Sequence, residues 1–155
     1  MPPTKIHKHM KQEQSKGLSY YRLSLLSFLK ESHPELLSDI DFISARSDSA
    51  AEAYSQAIKS GLDHIYAEET ANNVLYEGLH FSLLDTLITI LWNEFSVEIP
   101  EGEARDFALL LLPRCSDLQE KYALPDDFLN SPDFDLLYTE LTGFVSLYIE
   151  ENGLQ

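Results

Sequence analysis

The chain has 155 residues, 44% of them hydrophobic and 24% charged, and 26 Asp and Glu against 11 Lys and Arg give it a formal net charge of -15. This composition is typical of a folded soluble protein and excludes a disordered chain. The single cysteine, Cys115, excludes an intrachain disulfide and a cysteine-based zinc finger, and no run of about 18 apolar residues predicts a membrane span. Without a secretion signal, the expected location is the cytoplasm.

The charge is distributed unevenly along the chain. Residues 1–17 hold four Lys and one Glu, whereas the other 138 residues hold seven Lys and Arg against 25 Asp and Glu, a net charge of -18. The first 17 residues also contain two prolines and a glycine, which predicts a flexible basic arm before a single all-helical domain over residues 18–155. An acidic body repels nucleic acid and anionic membranes and attracts a basic protein.

Three helices are predicted in the first half of this domain. The first covers residues 19–32, where apolar residues recur at helical spacing before a proline. A cap at Ser38 begins the second helix and Gly61 ends it. Asp63 caps the third, which ends near Gly78.

The stretch SLLDTLITILWNEF predicts a central, buried helix over residues 82–96. Eight of the thirteen residues after the capping Ser82 are large and apolar, so most of the helix surface requires burial. A narrow polar stripe remains, and it is either the floor of a pocket or the one edge that faces solvent. The stripe consists of Asp85, Thr86, Thr89 and Asn93.

A helix beginning near Pro100, a short one over residues 116–122 and a long one begun by the cap Ser131 and Pro132 complete the pattern. No stretch alternates polar and apolar residues as a half-buried strand does. The sequence therefore predicts an all-α, single-domain bundle of six to seven helices around the central helix. The residues expected at its centre are Leu84, Leu87, Ile88, Leu91, Trp92, Leu110, Leu137, Leu141 and Phe144.

Three segments carry a family resemblance: LSYYRLSLLSFLKESHPEL, GLHFSLLDTLITILWNEF and DLLYTELTGFVSLYIEENGL. Together they resemble an uncharacterised domain-of-unknown-function family of small all-helical bacterial proteins, often encoded on conjugative transposons of gut and oral anaerobes. The resemblance extends from Leu18 to Leu154. It implies a cytoplasmic accessory protein of a mobile element, and it carries no catalytic residue and no cofactor over to this chain.

Two pairs of residues are weak candidates for a metal site. Glu77 and His80 have the E-x-x-H spacing of di-iron carboxylate bundles, and His64 and Glu68 lie four residues apart. Such bundles use two E-x-x-H motifs and two further glutamates, and a second motif is absent here. The expectation is that no metal or cofactor binds and that these histidines are satisfied by local contacts.

A structural explanation is favoured for two further features, the cysteine and a cluster of aspartates. Cys115 is a nucleophile only if a base lies nearby, and no supporting motif is present, so a partly buried thiol without a catalytic role is expected. The acidic residues Asp126, Asp127, Asp133 and Asp135 lack the ligand spacing of a calcium loop. They are expected to form a solvated rim and are the candidate surface for a partner.

Core residues, helix caps and an acidic exterior account for most of the sequence, so the leading hypothesis is a non-enzymatic protein–protein interaction or accessory protein. One alternative is an enzyme with an unrecognised metal or thiol site. The other is an acidic mimic of DNA that inhibits a basic nucleic-acid-binding protein, with carboxylates in a row such as phosphates form. Its candidate residues are Glu94, Glu98, Asp117, Glu120 and the four aspartates.

Overall fold

A computed structural model describes residues 20–153 of the chain, and the predicted basic arm lies outside them. The chain is an all-α domain, as predicted, with no strand among the described residues. Its contacts divide it into two compact units, residues 1–77 and residues 78–155. The helices are α1 (20–32), α2 (Ile40–Lys59), α3 (His64–Leu75), α4 (Leu83–Glu94), α5 (Ala104–Leu111), α6 (Ser116–Lys121) and α7 (Pro132–Asn152).

Four short 3₁₀ turns join these helices. They cover Pro34–Leu36, Glu101–Glu103, Leu112–Cys115 and Phe128–Asn130. Over residues 20–153, no helix combines the length and the apolar character needed to cross a membrane.

In unit 1 (20–77 of the described chain), α2 and α3 pack closely through alanines. Ala50 and Ala57 of α2 and Ala67 and Ala71 of α3 are all buried, which agrees with the close packing of an alanine-rich helix pair. The cap of α2 differs from the prediction by one residue, because the carboxylate of Asp39, rather than Ser38, accepts a hydrogen bond from the N–H of Phe42 at 3.1 Å.

Serines in the middle of α2 do not interrupt the helix. The buried Ser47 donates its hydroxyl to the carbonyl of Ile43 at 2.7 Å, and Ser44 accepts a hydrogen bond from Arg22 of α1 at 3.2 Å. Arg46 extends from α2 to the end of α3 and donates to the carbonyls of Leu75 at 3.2 Å and Glu77 at 2.5 Å. A cation there satisfies carbonyls that the helix itself leaves without a partner.

Unit 2 is built around α4, which is buried over most of its circumference. The cap is as predicted, since Ser82 Oγ accepts a hydrogen bond from the N–H of Asp85 at 3.1 Å. α5, the Leu112–Cys115 turn and α7 contact α4. Its buried residues are Leu83, Leu84, Thr86, Leu87, Ile88, Ile90 and Leu91.

The polar stripe of α4 is its solvent-facing edge, with Asp85, Thr89 and Asn93 exposed. Thr86 was assigned to this stripe wrongly, because it is buried and its hydroxyl donates to the carbonyl of Ser82 at 3.1 Å. Trp92 was placed wrongly in the core. Its position three residues after Thr89 puts it on the same edge, and it is 49% exposed.

The other core predictions are confirmed except for Leu110, which is 47% exposed. Leu110 lies four residues after the exposed Asp106, so both share the outer face of α5. Leu84, Leu87, Ile88, Leu91, Leu137 and Leu141 are buried, and Phe144 packs partly buried against them.

Replacing Leu91 with Ala is expected to lower the free energy of unfolding by about 2–5 kcal/mol, because Leu91 is fully buried and the change leaves a cavity. Trp92→Ala is the matched control on the same helix, and its half-exposed ring predicts a smaller loss. Urea denaturation of both variants measures the two values. Equal losses would contradict the assignment of Trp92 to the surface.

Candidate interaction surface

The His64 pair in unit 1 is engaged in local contacts. His64 Nδ1 lies 2.5 Å from the hydroxyl of Tyr54, and its Nε2 lies 3.5 Å from a carboxylate oxygen of Glu68. The two ring nitrogens therefore face a phenol and a carboxylate on the unit's own helices. The imidazole is 70% exposed, so this arrangement lies on the surface of the unit.

The Glu77 and His80 motif does not lie on one helical face. α3 ends at Leu75, and Gly78 adopts a left-handed φ of 79° between the two residues. Nε2 of His80 instead lies 3.8 Å from Oδ2 of Asp126 within unit 2. Among residues 20–153, no group of three or more His, Cys, Asp and Glu side chains has the arrangement of a metal site.

Cys115 is more deeply buried than predicted. Its side chain is 1% exposed, and Sγ lies 3.4 Å from the carbonyl oxygen of Leu111, to which the thiol donates. Burial raises the pKa of the Cys115 thiol to about 11. The thiol is thus held protonated inside the core cluster of unit 2.

Asp126 anchors the loop between α6 and α7. Its Oδ2 accepts a hydrogen bond from the N–H of Gly78 at 2.9 Å, and its Oδ1 accepts one from the N–H of His80 at 3.0 Å. Beside it Phe128 is buried, with its ring centroid 4.8 Å from that of Phe81. The carboxylate predicted as a partner contact therefore connects two segments of unit 2.

The other three predicted partner residues, Asp127, Asp133 and Asp135, are exposed. Asp133 lies in the first turn of α7, where its backbone N–H donates to the cap Ser131 at 3.1 Å and its carboxylate is favoured by the helix dipole. Their role in binding stays a prediction.

The outward face of α7 combines exposed leucines with acidic residues. Leu136 is 57% exposed and Leu147 is 58% exposed, and their spacing of eleven residues places them on one side of the helix. α7 contains five Asp and Glu and no Lys or Arg. The sequence pattern predicts the buried face of this helix but does not single out these two leucines, although their helical spacing is a signal that could have identified them.

Gly143 lies between the two leucines on the same face. A Cβ added there meets no atom within 4 Å, so no packing inside the described chain requires a glycine. Thr139, also on this face, donates its hydroxyl to the carbonyl of Asp135 at 2.9 Å and needs no external partner. We call the surface formed by Leu136, Thr139, Gly143 and Leu147 the α7 face.

Glu140 borders the α7 face, and its charge is compensated within unit 2. Lys121 and Tyr122 both donate hydrogen bonds to its Oε1, the second at 3.0 Å. The hydrogen bond from Lys121 is the main reason why the pKa of Glu140 is lowered. Asp135 and Glu150, toward the two ends of the helix, are exposed, and the guanidinium of Arg114 lies 5.3 Å from the centre of the Tyr148 ring near the second end.

Unit 1 has a different exposed feature, an open groove of about 630 Å³ along α1. Tyr20, Leu23, Phe28 and Tyr76 supply its apolar walls. Tyr20 is the first residue that the structure describes. His64, His80 and Cys115 are not among its lining residues.

A family model described as "Domain of unknown function (DUF1896)" matches residues 13–154. The chain belongs to this family. It is also similar to the crystal structure of protein PG0816 from Porphyromonas gingivalis, with 44% sequence identity and a TM-score of 0.84 over 93% of this chain and 98% of that one. No curated protein matches the chain. The predicted family resemblance is thereby confirmed, and with it the absence of a named function for the family.

Replacing Asp126 with Ala is expected to destabilise the protein by about 1–2 kcal/mol, because it removes two hydrogen bonds that the carboxylate accepts from backbone N–H groups. Asp127→Ala removes a neighbouring exposed carboxylate and is expected to change stability by less than about 0.5 kcal/mol. Equal effects in chemical denaturation would contradict the structural role of Asp126.

Gly143→Ala is expected to stabilise the isolated chain by about 0.5–1 kcal/mol, since alanine has the higher helix propensity and its Cβ meets open space. Gly78→Ala is the contrasting control, because its φ of +79° disfavours any side chain and predicts destabilisation. Thermal unfolding of the two variants should show shifts of opposite sign. A lower melting temperature for Gly143→Ala would mean that the glycine serves the fold.

Native Cys115 is expected to react with iodoacetamide at pH 8 far more slowly than an exposed thiol. A pKa of about 11 leaves roughly one molecule in a thousand as thiolate, and burial restricts access further. Mass spectrometry of the native protein and of the protein in 6 M guanidinium chloride measures the difference. Rapid labelling without denaturant would indicate an accessible, reactive thiol.

Proposed function

We propose that this protein is a non-enzymatic protein–protein interaction module and that the α7 face is its contact surface. The observation that carries the proposal is the pair of exposed leucines, Leu136 and Leu147, on a helix whose only charged residues are acidic. Exposed apolar side chains rimmed by charge are the usual anatomy of a surface that binds another protein.

The surroundings of the candidate catalytic groups also support this proposal. The thiol of Cys115 is protonated and buried, and the imidazoles of His64 and His80 contact a phenol and carboxylates of their own units. Each group is thus accounted for by a structural contact. A bacterial cytoplasm and an accessory role on a mobile element form part of the same proposal, and the family resemblance supports them.

Affinity capture from a native cell tests the proposal. The intact chain is compared with the double variant Leu136→Gln, Leu147→Gln, which keeps helix propensity and charge while removing both exposed aliphatic groups. The matched control is Ile40→Gln with Ile65→Gln, two residues of unit 1 that are 63% and 78% exposed. We expect the intact chain and the control to capture a partner that the Leu136→Gln, Leu147→Gln variant does not capture. Direct binding of this partner is then measured with purified proteins. Equal capture by all three chains would contradict the α7 face as the contact surface.

A second candidate is mimicry of DNA, which is favoured by the charge of unit 2: fifteen Asp and Glu against three Lys and Arg, a net charge of -12. Two of its candidate residues already have partners in the fold, because Glu94 accepts a hydrogen bond from the hydroxyl of Tyr138 at 3.0 Å and Asp126 binds backbone N–H groups. A competition experiment tests this second candidate. A mimic is expected to displace DNA from a basic protein, and this displacement is expected to weaken steeply as the salt concentration rises. Failure to displace DNA at low salt would contradict mimicry.

A further inference from the structure

We infer that the occupant of the α7 face is a basic amphipathic helix of a partner protein, with aliphatic residues at its middle and Lys or Arg toward both ends. This inference rests on the proposed function and names the chemistry of the partner. It follows from three properties of the face: its shape, its satisfied backbone and the placement of its charges.

The shape of the α7 face suits a helix. Leu136 and Leu147 lie eleven residues apart, about 16 Å along the helix axis. Gly143 leaves a depression between them because its position carries no side chain and no neighbouring atom fills the space. Side chains of one helix pack into such depressions of another, and a glycine allows the two axes to approach closely.

The backbone excludes a strand as the preferred occupant. Strand addition needs a row of unpaired N–H and C=O groups, whereas the middle of α7 has its backbone groups paired inside the helix. The exposed Thr139 hydroxyl is likewise satisfied by the Asp135 carbonyl. A partner therefore contacts the centre of the α7 face through side chains, and most of these contacts are apolar.

The acidic residues of α7 indicate which charges the partner helix carries. Lys121 compensates Glu140 near the middle of α7, whereas Asp133 and Asp135 in the first turn and Glu150 near the end are exposed and acidic. Asp135 and Glu150 lie about 22 Å apart along the axis. A partner helix with positive charges at a similar separation complements both ends.

The same charges argue against two other occupants. A second copy of the chain would bring Asp135 and Glu150 of one α7 near like charges of the other, which is unfavourable. An anionic membrane surface is repelled by a helix with five acidic and no basic residues. A basic helix is the occupant that satisfies both the leucines and the carboxylates.

Defined peptides test the inference on the full chain. The probe is a synthetic helical peptide with two leucines eleven residues apart, alanines between them and lysines at both ends. Its matched control has the same sequence with glutamate in place of every lysine. Fluorescence anisotropy at 50 mM and 200 mM NaCl measures the dissociation constant of each. We expect the lysine peptide to bind at least about tenfold more tightly at low salt and to lose affinity as salt rises.

Two protein variants locate the binding site. Gly143→Leu fills the depression, and we expect it to weaken the lysine peptide about tenfold while leaving the melting temperature equal to or above that of the original chain. Asp135→Asn with Glu150→Gln keeps the apolar contacts, and we expect it to reduce the salt dependence of binding. Ile40→Gln with Ile65→Gln again serves as the control and should bind as the original chain does.

Three results would overturn the inference: equal binding of the two peptides, unchanged binding by Gly143→Leu, or self-association of the free chain that Gly143→Leu abolishes. These results remain distinguishable from a failure of the proposed function. If the Leu136 and Leu147 variant loses its captured partner but the lysine peptide does not bind, the interaction role stands and the basic helix is wrong. If capture is equal for all chains, the interaction role through this face fails as well.

Discussion

Helix α4 can be buried on almost every side only because the rest of unit 2 supplies apolar surface around it. α5, the Leu112–Cys115 turn and α7 all contact it, and the hydroxyl of Ser82 satisfies a backbone N–H at its start. Burying a helix in this way requires every polar group on it to find a partner or reach water. Thr86 finds one in the carbonyl of Ser82, while Asp85, Thr89 and Asn93 reach water along one edge.

The position of α7 depends on the loop that precedes it. Asp126 holds this loop against the backbone at Gly78 and His80, and the ring of Phe128 is buried against Phe81. With its start placed there, α7 turns Leu137, Leu141 and Val145 into the core. The opposite side of the helix, with Leu136, Gly143 and Leu147, then necessarily faces outward.

Catalytic chemistry needs groups that are both reactive and accessible, and two of the candidate groups in unit 2 have other surroundings. Cys115 is potentially nucleophilic but buried and protonated, and His80 is exposed but lies beside a carboxylate that supports a turn. The interaction that we propose for the α7 face requires only that its exposed apolar and acidic groups match a partner in shape and charge.

Much of the local structure could be read from the sequence because its causes are local. The caps at Asp63, Ser82 and Ser131, the end of α3 shortly before Gly78 and the periodicity of α4 depend on residues within a few positions of one another. The same patterns predicted the all-α class and the six buried core residues Leu84, Leu87, Ile88, Leu91, Leu137 and Leu141.

Properties that depend on distant residues were decided by tertiary structure alone. Trp92 and Leu110 are as apolar as their buried neighbours. Each shares a helical face with a polar residue, but the packing of the surrounding helices decided that these faces point to solvent. In the sequence, Asp126 cannot be distinguished from the neighbouring aspartates. Only the folded structure places it beside the N–H groups of residues 78 and 80, which are more than 40 positions away. The α7 face arose in the same way. Its leucines and its glycine are visible in the sequence, but whether another helix covers them is a property of packing, because helical spacing defines a face without specifying what lies against it.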